Sequence, residues 1–570
     1  MKPRPLPFAT ALREALRGYS GTRFRSDALA GITVGLIAIP LAMALAIAAG
    51  VAPQYGLYTA IIAGAAIALT GGSRVNVSGP TAAFVVILLP ITQQFGLPGL
   101  LTATIMAGLI LIAMGVSGLG KLIEFIPYPV LTGFTAGIAI VIAALQIKDL
   151  LGIDIVLRDA HFLPALGQTL WHLEYTRWQD VLIAAATLTT LVLWPRLQLP
   201  LPAYLVALIV GALLASALPL VLPGFDVATI GSRFSYELNG VLQQGIPSSL
   251  PSFQWPWHIV DGEKSFTLSL ANLRVLLGPA FAIAMLGAIE SLLCAVVSDG
   301  LSGYRHDPNA ELIGQGIGNV IAPLFGGITA TAAIARTAAN VRSGASSPIA
   351  SVIHALTVLA ALLVLGPWLQ HIPMATLAAL LLMVAWNMSD ARRVVQVLKF
   401  SPRADAMVLI ACLLLTVIFD MVIAVEVGMV LATVLFIKRM TELSVTALVT
   451  AAHSHSKEKL PPHVAVYDIN GPLFFGAAEK AMHTLWRIDP AIKAVILDMQ
   501  DVPVMDLTAI VALESLIANM QRKHVAVRLV ALNERLQAKL VKARLLGPDC
   551  WAQYTDDVHA AVVSLGNASV

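Results

Sequence analysis

The chain carries little charge for its length of 570 residues. Only 12% of the residues are Asp, Glu, Lys or Arg, whereas 58% are hydrophobic. Because soluble domains carry roughly 25% charged residues, this composition excludes an ordinary soluble protein and predicts a polytopic membrane protein. The net charge of +3 is also small. It identifies no charged partner, and we expect no nucleic-acid partner.

Cysteines and catalytic clusters are scarce as well. The three cysteines, Cys294, Cys412 and Cys550, lie far apart without CxxC spacing, which argues against a disulfide framework or a zinc site. Cys294 and Cys412 lie in apolar runs, and we expect them to pack in the core. No Ser/His/Asp set, pair of carboxylates, metal cluster or phosphate loop stands in a suitable context. We therefore predict neither an enzyme nor a bound cofactor.

The first 25 residues lack the apolar core and the small-residue cleavage site of a signal peptide. Their basic residues are Lys2, Arg4, Arg13, Arg17, Arg23 and Arg25. Lys and Arg are enriched on the cytoplasmic side of membrane spans, so we expect residues 1–25 to form a cytoplasmic tail. An arginine-rich mitochondrial presequence is the alternative interpretation.

Long apolar runs fill residues 26–440, the predicted transporter domain. About 20 apolar residues span a bilayer, and candidate spans begin near residues 27, 54, 97, 122, 177, 201, 273, 308, 347, 372, 404 and 421. The stretches 78–90 and 326–340 are too short to span the bilayer and are predicted to be half-helices. Together these runs predict about fourteen membrane segments.

A polar interval divides the runs into halves at about 26–220 and 270–440, and the halves resemble each other. Each contains a small-residue helix, a Gly-Gly break and a Thr-Ala-Ala sequence, at Thr81 to Ala83 and at Thr331 to Ala333. Short, interrupted segments at matching places in two halves indicate the binding site of a transporter. Chance similarity between alanine-rich segments is the alternative.

The predicted half-helices favour anion binding. A helix N-terminus carries unpaired N–H groups and about half a positive charge, and small residues such as Gly79 and Ala82 let a ligand approach the backbone. Arg336 lies in the second half-helix, where an unpartnered cation is costly. We expect a substrate anion or a nearby carboxylate to offset this cost. Packing-only re-entrant loops, and an Arg336 that reaches lipid headgroups, are the alternatives.

Glu290 is the candidate coupling residue. It is the only acid in the apolar run "MLGAIESLLCAVV", and an ionisable residue inside a membrane is a functional hypothesis by default. Beside Arg336, such a carboxyl group could gain and lose a proton during transport, whereas a structural ion pair is the alternative. Asp299, in a predicted loop, Asp420 and Glu426 are expected to cap helices or to lie at interfaces.

The character of the chain changes after residue 440. Residues 441–463 are polar and form a predicted linker, whose histidines lack acidic or cysteine partners for a metal. Residues 464–565 are predicted to form a small α/β domain. Its strands lie in "HVAVYDING", "AVILDM" and "HVAVRLVAL", and its helices lie in "AEKAMHTLWRI", "DLTAIVALESLIANMQRK", "NERLQAKLVKARLL" and "DDVHAAVVSL".

Several ordered motifs resemble the SulP (SLC26) anion transporter family. They include "TGGSRVNVSGPTAAFVV", "AMLGAIESLLCAVV" and "ELIGQGIGNVIAPLFGGITATAAIARTAANVRSGA", and the stretch "VILDMQDVPVMDLTAIVALESL" resembles a STAS domain. The resemblance runs from about Ser26 to Leu565. It implies two inverted seven-segment repeats, in which a core domain carries the substrate past a gate domain in an elevator-type movement. It also implies a homodimer.

The resemblance places the substrate site on matching positions of this chain, with half-helices starting at Ser78 and at about Thr329. The implied site residues are Leu41, Leu45, Thr81, Ala82, Ala335 and Arg336. Many family members carry Gln at the position of Leu41 and Ser at that of Ala335. The absence of these polar side chains implies more reliance on backbone N–H groups and on Arg336.

The resemblance also bears on the coupling ion and the substrate. Sodium-coupled bicarbonate members carry Asp and Thr at the positions of Glu290 and Cys294, and a thiol serves a hard cation poorly, so we expect proton coupling rather than sodium coupling. Within the family the sequence most resembles the bacterial C4-dicarboxylate transporters. The implied function is uptake of succinate, fumarate or aspartate-like substrates. Sulfate, bicarbonate or another inorganic anion is the first alternative, and a membrane sensor that signals through STAS is the second.

The implied location is a bacterial inner membrane, with the N-terminus and the STAS domain cytoplasmic. Lipids surround the spans, and a cytoplasmic regulator is a candidate partner of the STAS domain. In related soluble STAS regulators a Ser or Thr after an Asp is phosphorylated, which points to Thr508. A capping hydroxyl at a helix start is the plainer role for Thr508.

Overall fold

The computed structural model describes residues 8–121, 127–155, 162–199, 201–238, 241–259, 266–419, 421–442, 445–448, 461–474, 489 and 491–567. By internal packing the chain divides into two units, Met1–Met429 and Val430–Val570. Within the described residues, eight helices are long and apolar enough to cross a membrane. The protein is therefore a polytopic helical membrane protein, as its composition predicts.

The helices that precede the C-terminal sheet are α1 (Thr10–Ala15), α2 (Gly21–Ala48), α3 (Pro53–Thr70), α4 (Ala82–Val116), α5 (Tyr128–Leu150), α6 (Phe162–Trp171), α7 (Trp178–Leu193), α8 (Ala203–Val221), α9 (Ile230–Arg233), α10 (Leu270–Ser302), α11 (Pro308–Ile321), α12 (Ile334–Arg342), α13 (Pro348–Leu369), α14 (Met374–Ser389), α15 (Ala391–Phe400), α16 (Arg403–Ile418) and α17 (Met421–Glu442). Gly96, at φ 66°, breaks α4 into two segments. With α4 counted twice, and with α1, α6, α9 and α15 set aside as short connecting helices, the described helices form fourteen membrane segments. Seven precede the polar interval and seven follow it.

The membrane helices pack as two groups. Helices α2, α3, α4 and α10 to α13 pack mainly against one another, and we call them the core bundle. Helices α5, α7, α8, α14 and α16 likewise pack mainly against one another and form the gate bundle. The strongest pairings in the core bundle join the two halves of the chain, α4 with α11 and α2 with α13. This interleaving fits the expected repeat of seven and seven segments.

Both half-helices start later than predicted. Ser78–Gly79 forms strand β1, which pairs antiparallel with strand β4 (Thr331–Ala332), and α4 and α12 begin only after these strands. In the backbone, Ala333 N–H also donates to Val77 O at 3.0 Å. Extended backbone inside a bilayer must find hydrogen-bond partners within the protein, and here each half supplies them to the other. Pro80 accordingly precedes the first turn of α4.

Two other features of the membrane unit were not predicted. The polar interval contains a hairpin of β2 (Ser235–Leu238) and β3 (Val241–Gln244). Asp299 lies within the last turn of α10 and not in a loop. Its carboxylate accepts hydrogen bonds from His306 N at 3.2 Å and from the His306 ring at 2.8 Å. Asp420 and the side chain of Glu426 lie outside the described residues.

The C-terminal unit contains a five-stranded sheet and three described helices. The strands are β5 (Val445–Leu448), β6 (Val464–Asn470), β7 (Ala494–Asp498), β8 (Ala526–Val530) and β9 (Ala552–Thr555), in that spatial order. Strands β6 to β9 run parallel, whereas β5 is antiparallel to β6. The helices are α18 (Leu507–Arg522), α19 (Glu534–Lys542) and α20 (Val558–Asn567). These elements confirm the predicted α/β class of the domain, but β5 lies within residues 441–463, which were predicted to be a linker, because its backbone pairs with β6. The helix expected in "AEKAMHTLWRI" lies outside the described residues.

The capping role expected for Thr508 is wrong. The N-cap of α18 is Asp506, whose Oδ1 accepts a hydrogen bond from Ala509 N at 2.8 Å. Thr508 is the second residue of the helix and is exposed. A carboxylate is a strong N-cap acceptor and also interacts favourably with the helix dipole. The helix therefore starts two residues earlier than a Thr508 cap would allow.

Candidate anion site

Arg336 lies in the first turn of α12 with 4% of its surface exposed. Its Nη2 donates to the backbone oxygen of Pro80 at 2.8 Å. Its Nη1 has no hydrogen-bond partner among the described residues. A buried donor of a charged group without a partner is costly, so Nη1 is the group in this region that most needs an anionic ligand.

Gly79 makes room for the guanidinium group. A Cβ atom built on Gly79 would lie 2.7 Å from Arg336 Nη1, closer than real Cβ atoms approach a neighbour. Any larger residue at this position would therefore displace the cation. The small residues of the first half-helix serve the side chain of the second half, in addition to exposing backbone.

The first turns of α4 and α12 begin on either side of the β1–β4 pair. The N-cap residues are Thr81 for α4 and Ala333 for α12, and neither side chain caps its own helix. The first N–H groups of a helix lack intrahelical partners, and these two ends carry the positive pole of the helix dipole. Ile334 is 42% exposed and Ala335 is exposed as well, so the described residues leave the start of α12 uncovered.

Glu290 contacts the first half-helix directly. Thr81 Oγ1 donates to Glu290 Oε2 at 3.0 Å, which links the middle of α10 to the start of α4. Among the described residues no ion pair joins Glu290 to Arg336. The carboxyl group and the guanidinium group therefore occupy one site without neutralising each other in a direct contact.

The remaining predicted site residues lie near this centre to different degrees. Ala82 is buried at the start of α4, and it belongs to the same apolar cluster as Leu45 of α2. Leu41 lies one turn before Leu45 and is partly buried. The structure thus brings Thr81, Arg336 and Glu290 together through the Thr81–Glu290 and Arg336–Pro80 hydrogen bonds. The substrate contacts of the other positions stay predictions.

A row of polar side chains on α11 binds the two segments that lead into β1 and β4. Glu311, Gln315 and Asn319 recur every four residues and therefore share one face of the helix. Glu311 accepts from Gly72 N at 3.0 Å, Ser73 N at 2.9 Å and Asn76 Nδ2 at 3.0 Å. The Asn319 amide exchanges hydrogen bonds with the backbone of Ala330 at 2.8 and 2.9 Å. Sequence reasoning missed these residues, although their spacing in an apolar helix was a usable signal.

A second set of contacts ties α10 to the second half-helix. Ser291 Oγ lies 2.7 Å from Thr331 Oγ1. Cys294 is fully buried, as predicted, but its thiol also donates to Thr337 Oγ1 at 3.2 Å. Thr337 Oγ1 in turn accepts from Val77 N at 3.0 Å. Cys294 is therefore part of a hydrogen-bond network behind the site and not only an apolar packing residue.

The fold and the site together define a class of protein. Two interrupted segments from matching places in two halves meet inside a bundle of membrane helices, where irregular backbone is tolerated only when protein or a cavity surrounds it. A buried, half-partnered arginine and two helix N-termini lie at the meeting point. These features are typical of a membrane carrier for small anions.

Comparisons with known proteins agree with this class. Residues 24–412 match the sulfate permease family, and residues 457–549 match the STAS domain. The "Putative sulfate transporter YvdB" of Bacillus subtilis is 40% identical over 537 residues, which cover 93% of this chain and 95% of that protein. The "Bicarbonate transporter BicA" of Synechocystis is 30% identical over 569 residues, with 95% of each chain covered. The structure of the murine Solute Carrier 26 family member A9 anion transporter shares the fold, with a TM-score of 0.82 at 19% identity over 98% of this chain and 94% of that one.

The chain belongs to the sulfate permease family, which is the SulP (SLC26) family of the resemblance noted above, and it carries a C-terminal STAS domain. It is a multi-pass anion transporter and not an enzyme, because its relatives across nearly the whole length are transporters.

Proposed function

We propose that the protein is a secondary active transporter that takes up C4-dicarboxylate dianions together with protons. The observation that carries this proposal is the unpartnered Nη1 of Arg336, buried beside two helix N-termini. A carboxylate or another oxyanion would satisfy this donor and would be stabilised by both helix dipoles.

The charges of the site support coupling to a proton. Arg336 contributes one positive charge and ionised Glu290 one negative charge, so the two side chains together are neutral. When Glu290 is protonated the site gains a net positive charge, which favours a dianion. Binding of a dianion and protonation of Glu290 therefore reinforce each other, because linkage between two ligands is reciprocal.

Apolar side chains support a carbon-containing substrate. Two predicted site positions on α2 carry the apolar residues Leu41 and Leu45. Ala335 has no hydroxyl group beside Arg336. The two methylene groups of succinate would pack against such leucines, whereas a sulfate ion has no apolar part. Sulfate or bicarbonate transport is the second candidate. It is favoured by the relative named as a putative sulfate transporter, at 40% identity, and by the relatives named as bicarbonate transporters.

The proposed mechanism is alternating access by movement of the core bundle against the gate bundle. The site belongs wholly to the core bundle, since its residues lie on α2, α10 and α12 and at the start of α4. A substrate held there would cross the membrane with the bundle while the contacts of the site stay intact. We further propose a homodimer in a bacterial inner membrane, with the N-terminal tail and the STAS domain in the cytoplasm.

Uptake by proteoliposomes tests the proposal. Fumarate, sulfate and bicarbonate are supplied with an inward proton gradient, with a sodium gradient and with neither. We expect the proton gradient to accelerate fumarate entry most. Faster sulfate or bicarbonate entry would favour the second candidate, and a response to sodium alone would contradict proton coupling. Binding without entry would favour the sensor hypothesis.

A further inference from the structure

Helix α15 (Ala391–Phe400) joins two membrane spans. The chain leaves α14 at Ser389 and enters α16 at Arg403, so α15 must lie at one surface of the membrane. It packs against α5 and α16 of the gate bundle. None of the contacts described for the anion site involves this helix.

The faces of α15 differ sharply. Val397 is only 8% exposed and faces the protein with the partly buried Val394. Three apolar side chains remain exposed instead: Val395 at 46%, Leu398 at 43% and Phe400 at 84%. At about 100° per residue, Val395 and Leu398 share one flank of the helix. Phe400 falls on the opposite flank, so exposed apolar side chains border the protein-facing side of the helix on both sides.

The face opposite the protein is basic. Arg392, Gln396 and Lys399 fall within one sector of the helix, and all three are exposed. Residues 391–404 contain four cations and no acid. Arg393 contacts Asp390 at 3.3 Å and the Tyr128 hydroxyl at 3.1 Å. Arg392 and Lys399 have no ion pair among the described residues.

We infer that α15 binds the headgroups of anionic phospholipids. A helix with Lys or Arg on one face and exposed apolar residues on both flanks of that face can lie in the membrane interface, with its cations at the headgroups. Arg392 and Lys399 would reach the phosphates while Val395, Leu398 and Phe400 enter the acyl region. A bilayer is the occupant because α15 is continuous with two spans, which fixes it at the lipid boundary. The interaction concerns the gate bundle and is independent of the anion that the core bundle carries.

Native mass spectrometry of the full-length protein tests the inference. The protein is equilibrated with mixed phosphatidylglycerol and phosphatidylcholine, and the retained lipids of each kind are counted. The test variant is Arg392→Gln/Lys399→Gln, which removes two exposed charges without touching the buried face. We expect its ratio of retained phosphatidylglycerol to phosphatidylcholine to fall roughly tenfold, since each basic residue near an anionic surface contributes several-fold in affinity.

The matched control is Arg522→Gln/Lys523→Gln at the end of α18, where two exposed cations of the C-terminal unit are removed. This control should retain the original lipid ratio. An unchanged ratio in the α15 variant, or an equal fall in the control, would overturn the inference. Displacement of the lipid by inorganic phosphate at low concentration would also overturn it, because the site would then bind a free anion. Size-exclusion profiles and transport rates establish that both variants are folded.

Discussion

The two half-helix starts occupy equivalent places in the two halves, yet they contribute different chemistry. The start of α4 supplies the Thr81 hydroxyl, which binds Glu290, and the Pro80 carbonyl, which binds Arg336. The start of α12 supplies the cation itself. The repeat therefore provides a symmetric pair of helix ends, and the side chains make that pair asymmetric. In our proposal the second half provides charge for the anion and the first half positions both charged groups.

Removing the Arg336 cation should have the largest effect, because this charge is the main difference between the two half-helix starts. Arg336→Ala leaves only two helix ends to hold the anion, and charge-assisted hydrogen bonds are worth about 1.5–3 kcal/mol each. We expect anion binding to weaken roughly 100-fold or more, measured by titration calorimetry on purified protein. Arg342→Ala, an exposed position at the other end of α12, serves as the control. A dissociation constant that stays unchanged in Arg336→Ala would remove this residue from the site.

Adding a methyl group to the first half should displace the cation of the second. In Gly79→Ala the new Cβ would lie 2.7 Å from Arg336 Nη1, and overpacking costs typically about 1–3 kcal/mol. We expect affinity to fall by roughly tenfold while the protein still folds. Gly278→Ala is the control, because no atom lies within 4 Å of a Cβ built there. Equal affinities in the two variants would show that the guanidinium group does not depend on space at Gly79.

Neutralising the carboxyl group separates binding from coupling. Glu290→Gln can keep its contact with Thr81 but cannot exchange a proton. In the wild type, lowering the pH should strengthen dianion binding, because protonation of Glu290 leaves Arg336 unopposed. The variant should bind fumarate with little dependence on pH and should lose acceleration by a proton gradient, measured as initial uptake rates at two pH values. Glu14→Gln, at an exposed position outside the site, should behave as wild type. Persistence of the full pH response in Glu290→Gln would transfer coupling to another group.

The sequence predicts much of this architecture because long apolar runs and Gly-rich breaks are local signals. The fourteen segments and the interrupted pair follow from them, and short apolar stretches predicted three of the five strands of the C-terminal sheet, β6, β7 and β8. The pairing of β1 with β4 was not predictable in this way, since it depends on contact between residues about 250 positions apart. The end of α10 was misjudged for a similar reason. Polar residues around Asp299 favour a loop, but the contact with His306 stabilises a last helical turn.

The Thr508 cap fails because Asp506 and Thr508, two residues apart, can both cap the helix, and only the geometry of the folded chain decides between them. The hydrogen bonds of Glu311 behind the site could not be predicted for a different reason. Glu311 looks like a residue near a helix start, and its four-residue spacing to Gln315 is visible in the sequence. Its ligands, however, are backbone N–H groups of Gly72 and Ser73 in the other half. No local pattern identifies a partner that the tertiary fold supplies.

The smallest expected effect concerns the hydroxyl of the first half. Thr81→Val keeps the shape of the side chain and removes the hydrogen bond to Glu290, and such a bond contributes about 0.5–1.5 kcal/mol net. Because the Thr81 hydroxyl donates to the carboxylate, its loss favours the protonated carboxyl group. The pH at which fumarate binding is half-maximal should therefore move upward, while maximal affinity changes only by a few-fold. The control is Thr33→Val, because the Thr33 hydroxyl donates to the carbonyl of Leu29 within its own helix. This variant should leave the pH profile unchanged. A shift of this half-maximal pH to lower values, or an equal shift in both variants, would mean that Thr81 in the first half does not influence the protonation of Glu290 in the second.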